Sequence, residues 1–194
     1  MSIEFYNQNA DLFFDGTKNV NMEHLWSRFQ KYLPQNANLL DAGCGSGRDS
    51  KYFKSQGYSI TAFDASAPLA QLASDFIGLP VTVATFSSFE TNEKFDGIWA
   101  CASLLHVTST ELAPTFLKLS QWLKPDGVIY CSFKYGNEDI SKDGRDFTNC
   151  DEDRLATFIK GSGLTIKELW VTADARPGRE DEKWLNGILG KVNG

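Results

Sequence analysis

The sequence predicts a doubly wound α/β fold: a mostly parallel seven-stranded sheet with helices on both faces and the last strand antiparallel. Three observations carry that prediction. Short apolar runs alternate with helical patterns through five successive units, and the first run ends in a turn holding Gly43, Gly45 and Gly47. Two further apolar runs near the C-terminus can close the sheet as an antiparallel pair. Strand–helix alternation of this kind implies right-handed crossovers between parallel neighbours. In such sheets ligands sit beyond the carboxyl ends of the strands, where the strand order reverses.

The elements follow in order. Met22, Leu25, Trp26, Phe29 and Leu33 share one helical face that Pro34 closes. Residues 39–42 read as the first strand. Residues 51–56 read as a helix with Gly57 in its C′ position, and 58–63 as the second strand with Asp64 at its end. Ser66 can cap a helix carrying Pro68 in its first turn and Leu69, Leu72, Ala73 and Phe76 on one face. Residues 81–85 and 96–101 are the third and fourth expected strands. Leu112, Phe116, Leu119 and Leu123 mark the next helix, whose Pro114 is acceptable among the amides that lack an internal partner. Lys124-Pro125-Asp126-Gly127 is a turn signal before the fifth strand, 128–133. The polar segment 135–149 shows no periodicity and is expected to be a lid or substrate loop. Leu155, Phe158 and Ile159 give a last helix, and 164–172 and 184–192 the two closing strands.

Length and composition narrow the function. The chain has 194 residues, 42% hydrophobic and 23% charged, an ordinary globular balance for one domain. Within it, 1–34 is expected to be a helical segment that can serve as a lid, 35–134 the core, and 135–194 a substrate-side loop with the closing strands. The 25 acids outnumber 19 bases, for a net charge of −6. A field of that sign repels phosphate backbones, so no nucleic-acid partner is expected. Four scattered cysteines with no CxxC pair and two histidines do not match zinc spacings, so no metal is expected. Cysteines of this kind suit a reducing cytoplasm. The N-terminus lacks a basic stretch followed by an apolar one, and no apolar run approaches the ~20 residues of a membrane span. A small-molecule partner is expected, on a monomer or weak homodimer.

The segment from Leu39 to Ser50, LLDAGCGSGRDS, is strand, tight turn and helix start. Glycines let the backbone turn sharply and let a ligand approach where a Cβ would clash, and the first helix amides point toward a bound group. The dinucleotide fingerprint GxGxxG would need glycine at position 48, which is Arg48. An NAD(P)-dependent oxidoreductase is therefore disfavoured. The carboxylate of Asp41 beside the turn suits a cofactor carrying an ammonium and a sulfonium better than a pyrophosphate. Asp64, 23 positions after Asp41, either accepts both ribose hydroxyls or serves as a turn or cap aspartate before Ser66.

The spacing acid-x-Gly-x-Gly-x-Gly resembles motif I of the class I S-adenosylmethionine-dependent methyltransferases. The run from Gly43 to Ser50, continuing to Gly57-Tyr58, is similar to the tellurite-resistance-type branch of small methyltransferases. The resemblance implies a Rossmann-like sheet, S-adenosylmethionine as cofactor with S-adenosylhomocysteine as product, and methyl transfer to a small molecule. It implies cofactor contacts from Asp41, Gly43, Cys44, Gly45, Gly47, Arg48, Asp64, Ala65 and Cys101, with Thr85 and Phe86 at the adenine. A regulatory protein that binds S-adenosylmethionine without turnover carries the same signature, because transfer from a sulfonium needs alignment, water exclusion and proton removal but no nucleophilic triad.

On the acceptor side, His106 lies in a loop that the resemblance turns toward the cofactor. Imidazole titrates near neutrality and suits a general base, while capping the helix that starts near Thr108 is the rival reading. Tyr6 and Phe14 belong to a segment that folds over the cofactor in related enzymes. Arg176 and Arg179, flanking Pro177-Gly178, can grip an anionic substrate, or form a solvated turn with Glu180, Asp181 and Glu182. His24 is expected at the surface.

Overall fold

The computed structural model describes residues 2–192. Three short helices, α1 (Ser2–Gln8), α2 (Ala10–Thr17) and α3 (Glu23–Gln30), precede the sheet. The alternating part follows as β1 (Asn38–Ala42), α4 (Arg48–Ser55), β2 (Ser59–Asp64), α5 (Ala67–Ile77), β3 (Thr82–Val83), β4 (Phe95–Ala100), α6 (Ser109–Trp122) and β5 (Leu123–Lys134). A hairpin of β6 (Asp139–Lys142) and β7 (Arg145–Thr148), then α7 (Glu152–Ile159), β8 (Leu164–Ala173) and β9 (Lys183–Lys191), complete the chain. The seven-stranded sheet has the order β3-β2-β1-β4-β5-β9-β8. Neighbours from β3 to β5 are parallel, and β9 runs antiparallel to both β5 and β8.

The continuous apolar runs follow from burial on both faces, because alternate side chains of a strand enter opposite layers. Leu40, Ile98 and Ile129 enter the core shared with Leu112, Phe116 and Leu119 of α6 and Leu155 and Phe158 of α7. Their neighbours Leu39, Trp99 and Tyr130 enter the opposite core, with Leu25, Trp26 and Phe29 of α3 and Phe53 of α4. The chain leaves β1 for β2 on one side and returns to β4 on the other. That reversal opens a crevice above the carboxyl ends of β1 and β4.

Several local expectations need correction. α4 starts at Arg48, three residues early, because Gly47 caps it in the left-handed region at φ 82°. β3 shrinks to Thr82–Val83, an exposed edge paired only with Phe63 and Asp64. The LKPDG stretch does not simply precede β5: pairing starts at Phe95↔Leu123 and jumps to Gly97↔Val128, so the tetrapeptide 124–127 bulges out. Pro114 sits at the sixth position of α6, beyond the free amides, and the helix forgoes one internal bond there. Segment 135–149 is not an irregular loop. It is the β6–β7 hairpin, turned by Asp143 and Gly144 at φ 53° and 74°. Asp-Gly between two short runs is a hairpin signal because both residues tolerate positive φ.

Candidate active site

The glycine turn opens a cleft of about 540 Å3 above the switch point. Gly43 and Gly45 lie on its wall, both at positive φ (74° and 57°). A Cβ on Gly43 would stand 2.5 Å from Cβ of Ser103, and one on Gly45 would stand 3.2 Å from the Phe13 ring. The amides of Gly43 and Cys44 both donate to the Phe63 carbonyl, which pins the turn to the end of β2. Gly47 lies behind the wall, where a Cβ would meet the Ile77 side chain at 2.7 Å. It packs against α5, whereas Gly43 and Gly45 pack against Ser103 and Phe13, residues that themselves line the cleft.

Asp64 faces the same cleft. Its Oδ2 accepts the Gly45 amide at 2.9 Å and its Oδ1 the Ser66 amide at 3.0 Å. Each oxygen keeps a free lone pair, so the carboxylate can still accept a diol. Burial pushes its carboxyl up, against the two amide bonds. The helix cap falls to Ser66, whose Oγ accepts the Leu69 amide and donates to Asn7 Oδ1 at 2.7 Å. Ala65, Thr85 and Phe86 continue the wall, with Phe86 edge-on to Phe63 at 5.4 Å between centroids.

Asp41 is not on the cleft wall. It is buried beneath the turn, where Oδ2 accepts the Ser50 hydroxyl at 2.6 Å. Burial, and then the Asp49 carboxylate, push its carboxyl up to about 8. Burial thus disfavours its charged form, and no direct contact of Asp41 with a ligand in the cleft is possible without passing the turn above it. Asp49 is the residue that sequence reasoning missed. Its Oδ1 accepts Trp26 Nε1 at 2.8 Å and Arg48 Nε at 3.0 Å, and its Oδ2 accepts Trp99 Nε1 at 2.9 Å. These bonds lock α3, α4 and β4 together and hold Arg48 on the cleft wall. Two tryptophans were the available signal, since a buried indole N–H needs an acceptor. Cys44 and Cys101 also line the cleft. Burial and the Asp49 carboxylate push the Cys101 thiol up to about 12, and burial raises that of Cys44, so neither is a thiolate.

The opposite half of the cleft is built by α1, the 3-10 turn Leu104–His106, the β6–β7 hairpin and the β8–β9 connection. Tyr6 Oη lies 2.8 Å from His106 Nε2, and His106 Nδ1 lies 2.9 Å from the Asp146 carbonyl. A carbonyl only accepts, so Nδ1 carries the proton and Tyr6 donates to a bare Nε2. Burial lowers the His106 pKa, against the Asp146 carbonyl and with Arg145 and Lys134 adding to the decrease. Phe14 is not at this end. It packs edge-on against Phe76 of α5 at 5.4 Å, and Phe13 takes the place on the wall. Arg176 and Arg179 both reach the wall, but Arg176 is held by Asp174 through bonds of 3.0 and 2.7 Å. Lys134 and Arg145 join them there; Arg145, on the hairpin, was not foreseen. His24, on α3, is exposed and touches the rim.

A glycine turn at a β1/β4 switch point, with a carboxylate at the end of β2, defines an α/β enzyme class that binds a nucleoside cofactor. Residues 16–164 match the methyltransferase domain family, and the chain belongs to it. The family's cofactor is S-adenosylmethionine. The spare lone pairs of Asp64, on the wall with Gly43 and Gly45, fit a ribose diol of that group. Over 99 residues the chain is 29% identical to a malonyl-[acyl-carrier protein] O-methyltransferase of Enterobacter lignolyticus, covering 48% of this chain and 37% of that one. It spans less than half the length of the curated relatives it matches. Among solved structures, the fold matches a 1,6-didemethyltoxoflavin-N1-methyltransferase of Burkholderia thailandensis holding S-adenosylhomocysteine. The TM-score is 0.80 at 21% identity, over 99% of this chain and 86% of that one. A TehB-like methyltransferase of Corynebacterium glutamicum shares the fold at TM-score 0.71 and 20% identity, over 98% of both chains. Among the described residues no helix is long and apolar enough to cross a membrane.

Proposed function

We propose that the protein transfers the methyl group of S-adenosylmethionine to a small-molecule acceptor whose proton leaves through Tyr6 to His106. The observation that carries this reading is the 2.8 Å bond from Tyr6 to an unprotonated His106 Nε2 at the acceptor end of the cleft. The cofactor supplies an electrophilic methyl on a sulfonium. The turn at Gly43–Gly45, Asp64, Ala65 and the Thr85–Phe86 wall hold it. The acceptor's nucleophile approaches in line, which requires alignment and exclusion of water more than chemical groups. Tyr6 Oη takes the acceptor's proton as its own proton passes to His106 Nε2. The Asp146 carbonyl steadies the resulting imidazolium through Nδ1–H. His106 acts through Tyr6, because the phenol occupies its only free nitrogen.

The size of the acceptor is supported by what covers the cleft. α1 spans it from Ser66 at one wall to the hairpin at the other, and cofactor and acceptor would share a cleft of about 540 Å3, which leaves space for a small acceptor. Calorimetric titration with S-adenosylhomocysteine and NADH, followed by assays with methyl-labelled cofactor and phenol, amine and thiol acceptors, tests the reading. Tight NADH binding with no response to S-adenosylhomocysteine overturns it. S-adenosylhomocysteine binding without any methylated product leaves the cofactor role and removes the transfer.

A further inference from the structure

The geometry points to an anion site in the acceptor half of the cleft, where Arg145 and Lys134 hold a carboxylate-bearing acceptor beside Tyr6. This rests on the methyl-transfer reading and names the acceptor's chemical class. Four cations line that half: Lys134, Arg145, Arg176 and Arg179. Two of them have internal partners. Arg176 is gripped by Asp174, and Glu182 Oε2 stands 3.9 Å from Arg176 and 3.8 Å from Arg179. Among the described residues, Lys134 and Arg145 have no carboxylate oxygen within 4.0 Å.

Both unpaired cations converge on one ring. Lys134 Nζ stands 4.2 Å and the Arg145 guanidinium 5.2 Å from the centroid of Phe147, and Arg145 also lies 4.3 Å from that of Phe5. These rings orient the cations, and the Arg145 guanidinium also bonds the Tyr6 side chain. Arg145 Nε is buried with no hydrogen-bond partner. A buried donor without an acceptor is uncommon, and at a cleft wall it marks where a ligand oxygen belongs.

Of the other polar groups near the pair, Glu182 acts on Lys134 and its Oε2 has no hydrogen-bond partner, whereas Asp146 and His106 are engaged. The Asp146 carboxylate accepts the Ser141 hydroxyl at 2.6 Å, and both ring nitrogens of His106 are bonded. Burial lowers the Lys134 pKa; Glu182 opposes this, while Arg145 and Arg176 add to it, so the neighbouring cations repel one another. An arriving anion relieves that repulsion. The guanidinium fork matches a planar carboxylate, and the ammonium adds a point charge. In a chain of net charge −6, this is a local cluster of positive charge rather than a general field.

The test uses full-length protein saturated with S-adenosylhomocysteine and titrated with benzoate, or with its neutral counterpart benzamide, at constant ionic strength. The NMR signal of Arg145 Nε–H is the readout. Benzoate is expected to shift it saturably and to bind at least about tenfold more tightly than benzamide. Lys134→Met is expected to weaken benzoate about fivefold or more while leaving S-adenosylhomocysteine affinity unchanged. No saturable shift at Arg145, an equal response to benzamide, or undiminished benzoate binding in Lys134→Met overturns the site. If S-adenosylhomocysteine fails to bind while benzoate still moves Arg145, the methyl-transfer reading falls and the anion site stands.

Discussion

Tyr6 and His106 lie 100 positions apart and meet at 2.8 Å, with the phenol donating to the imidazole. The contact joins the first helix to the loop after β4 and fixes the histidine in one tautomer. On the proposed reading, the phenol and not the imidazole would reach the acceptor.

Tyr6→Phe and His106→Ala are therefore expected to lower kcat by about 10²- to 10⁴-fold, the usual contribution of a positioned proton acceptor. S-adenosylhomocysteine affinity should stay within a few-fold of the parent protein. The proton acceptor must be neutral, and burial places the His106 pKa below its ordinary 6.5. Activity should hold down to that pH and fall only below it, as His106 becomes protonated. A pH profile of kcat checks this; an acid limb unchanged in His106→Ala excludes the histidine.

Asp64→Ala is expected to weaken S-adenosylhomocysteine binding by about 2–3 kcal/mol, roughly 30- to 150-fold. It should also lower Tm, because the Gly45 and Ser66 amides lose their acceptor. Asp64→Asn keeps one acceptor oxygen and should lose less of both. Calorimetry beside thermal melts separates the two effects, and a stability loss with unchanged affinity would leave Asp64 a purely structural residue.

Asp41 carries a pH dependence of stability. Its carboxyl rises from 3.8 to about 8, owing first to burial and then to the Asp49 carboxylate. Between those values the folded state keeps a proton that the unfolded chain has released, so this contribution to stability is complete below about pH 4 and lost as pH rises toward 8. Asp41→Asn stays neutral throughout and its side-chain oxygen can still accept from Ser50. Its Tm should exceed that of the parent at pH 8 and approach it at acid pH. Parallel melting curves across the range would refute the assignment.

Gly43→Ala and Gly47→Ala should differ in kind. Each forces an alanine to positive φ, and together with crowding this costs about 2–4 kcal/mol of stability. Only Gly43 faces the cleft, where the added carbon meets Ser103. Gly43→Ala should therefore also abolish cofactor binding, whereas folded Gly47→Ala should retain it. Calorimetry at a temperature where both variants remain folded makes the comparison.

The core architecture was legible because it is written in period and punctuation. Leu39–Leu40 and Ile98–Trp99 each send adjacent side chains into opposite cores, so the strands appear as unbroken apolar runs. Gly43, Gly45 and Asp64 line the cleft, whereas Asp41 and Gly47 of the same motif do not. What escaped was set by partners far away in sequence. The burial of Asp41 and the bonds converging on Asp49 depend on how α3, α4 and β4 stack, which no local spacing encodes. Phe13 and Phe14 differ by one position on α2, and only the docking of that helix decides which ring faces the cleft. The hairpin was different: Asp143-Gly144 was a readable turn, obscured by the polar residues around it.

α1 contains no buried residue, yet it carries the phenol at the centre of the proposed chemistry. Side-chain bonds from Ser2 to Asp146, Tyr6 to His106 and Asn7 to Ser66 fasten it to three separate parts of the cleft. A helix of seven residues is marginal by itself, so its place depends on these bonds and on the packing of Phe5 and Tyr6 against Arg145, Phe13 and His106. Loss of residues 2–8 should thus leave a folded domain that still binds cofactor but has no proton relay. On the proposed reading, turnover and fold stability would therefore respond differently to the loss of this helix.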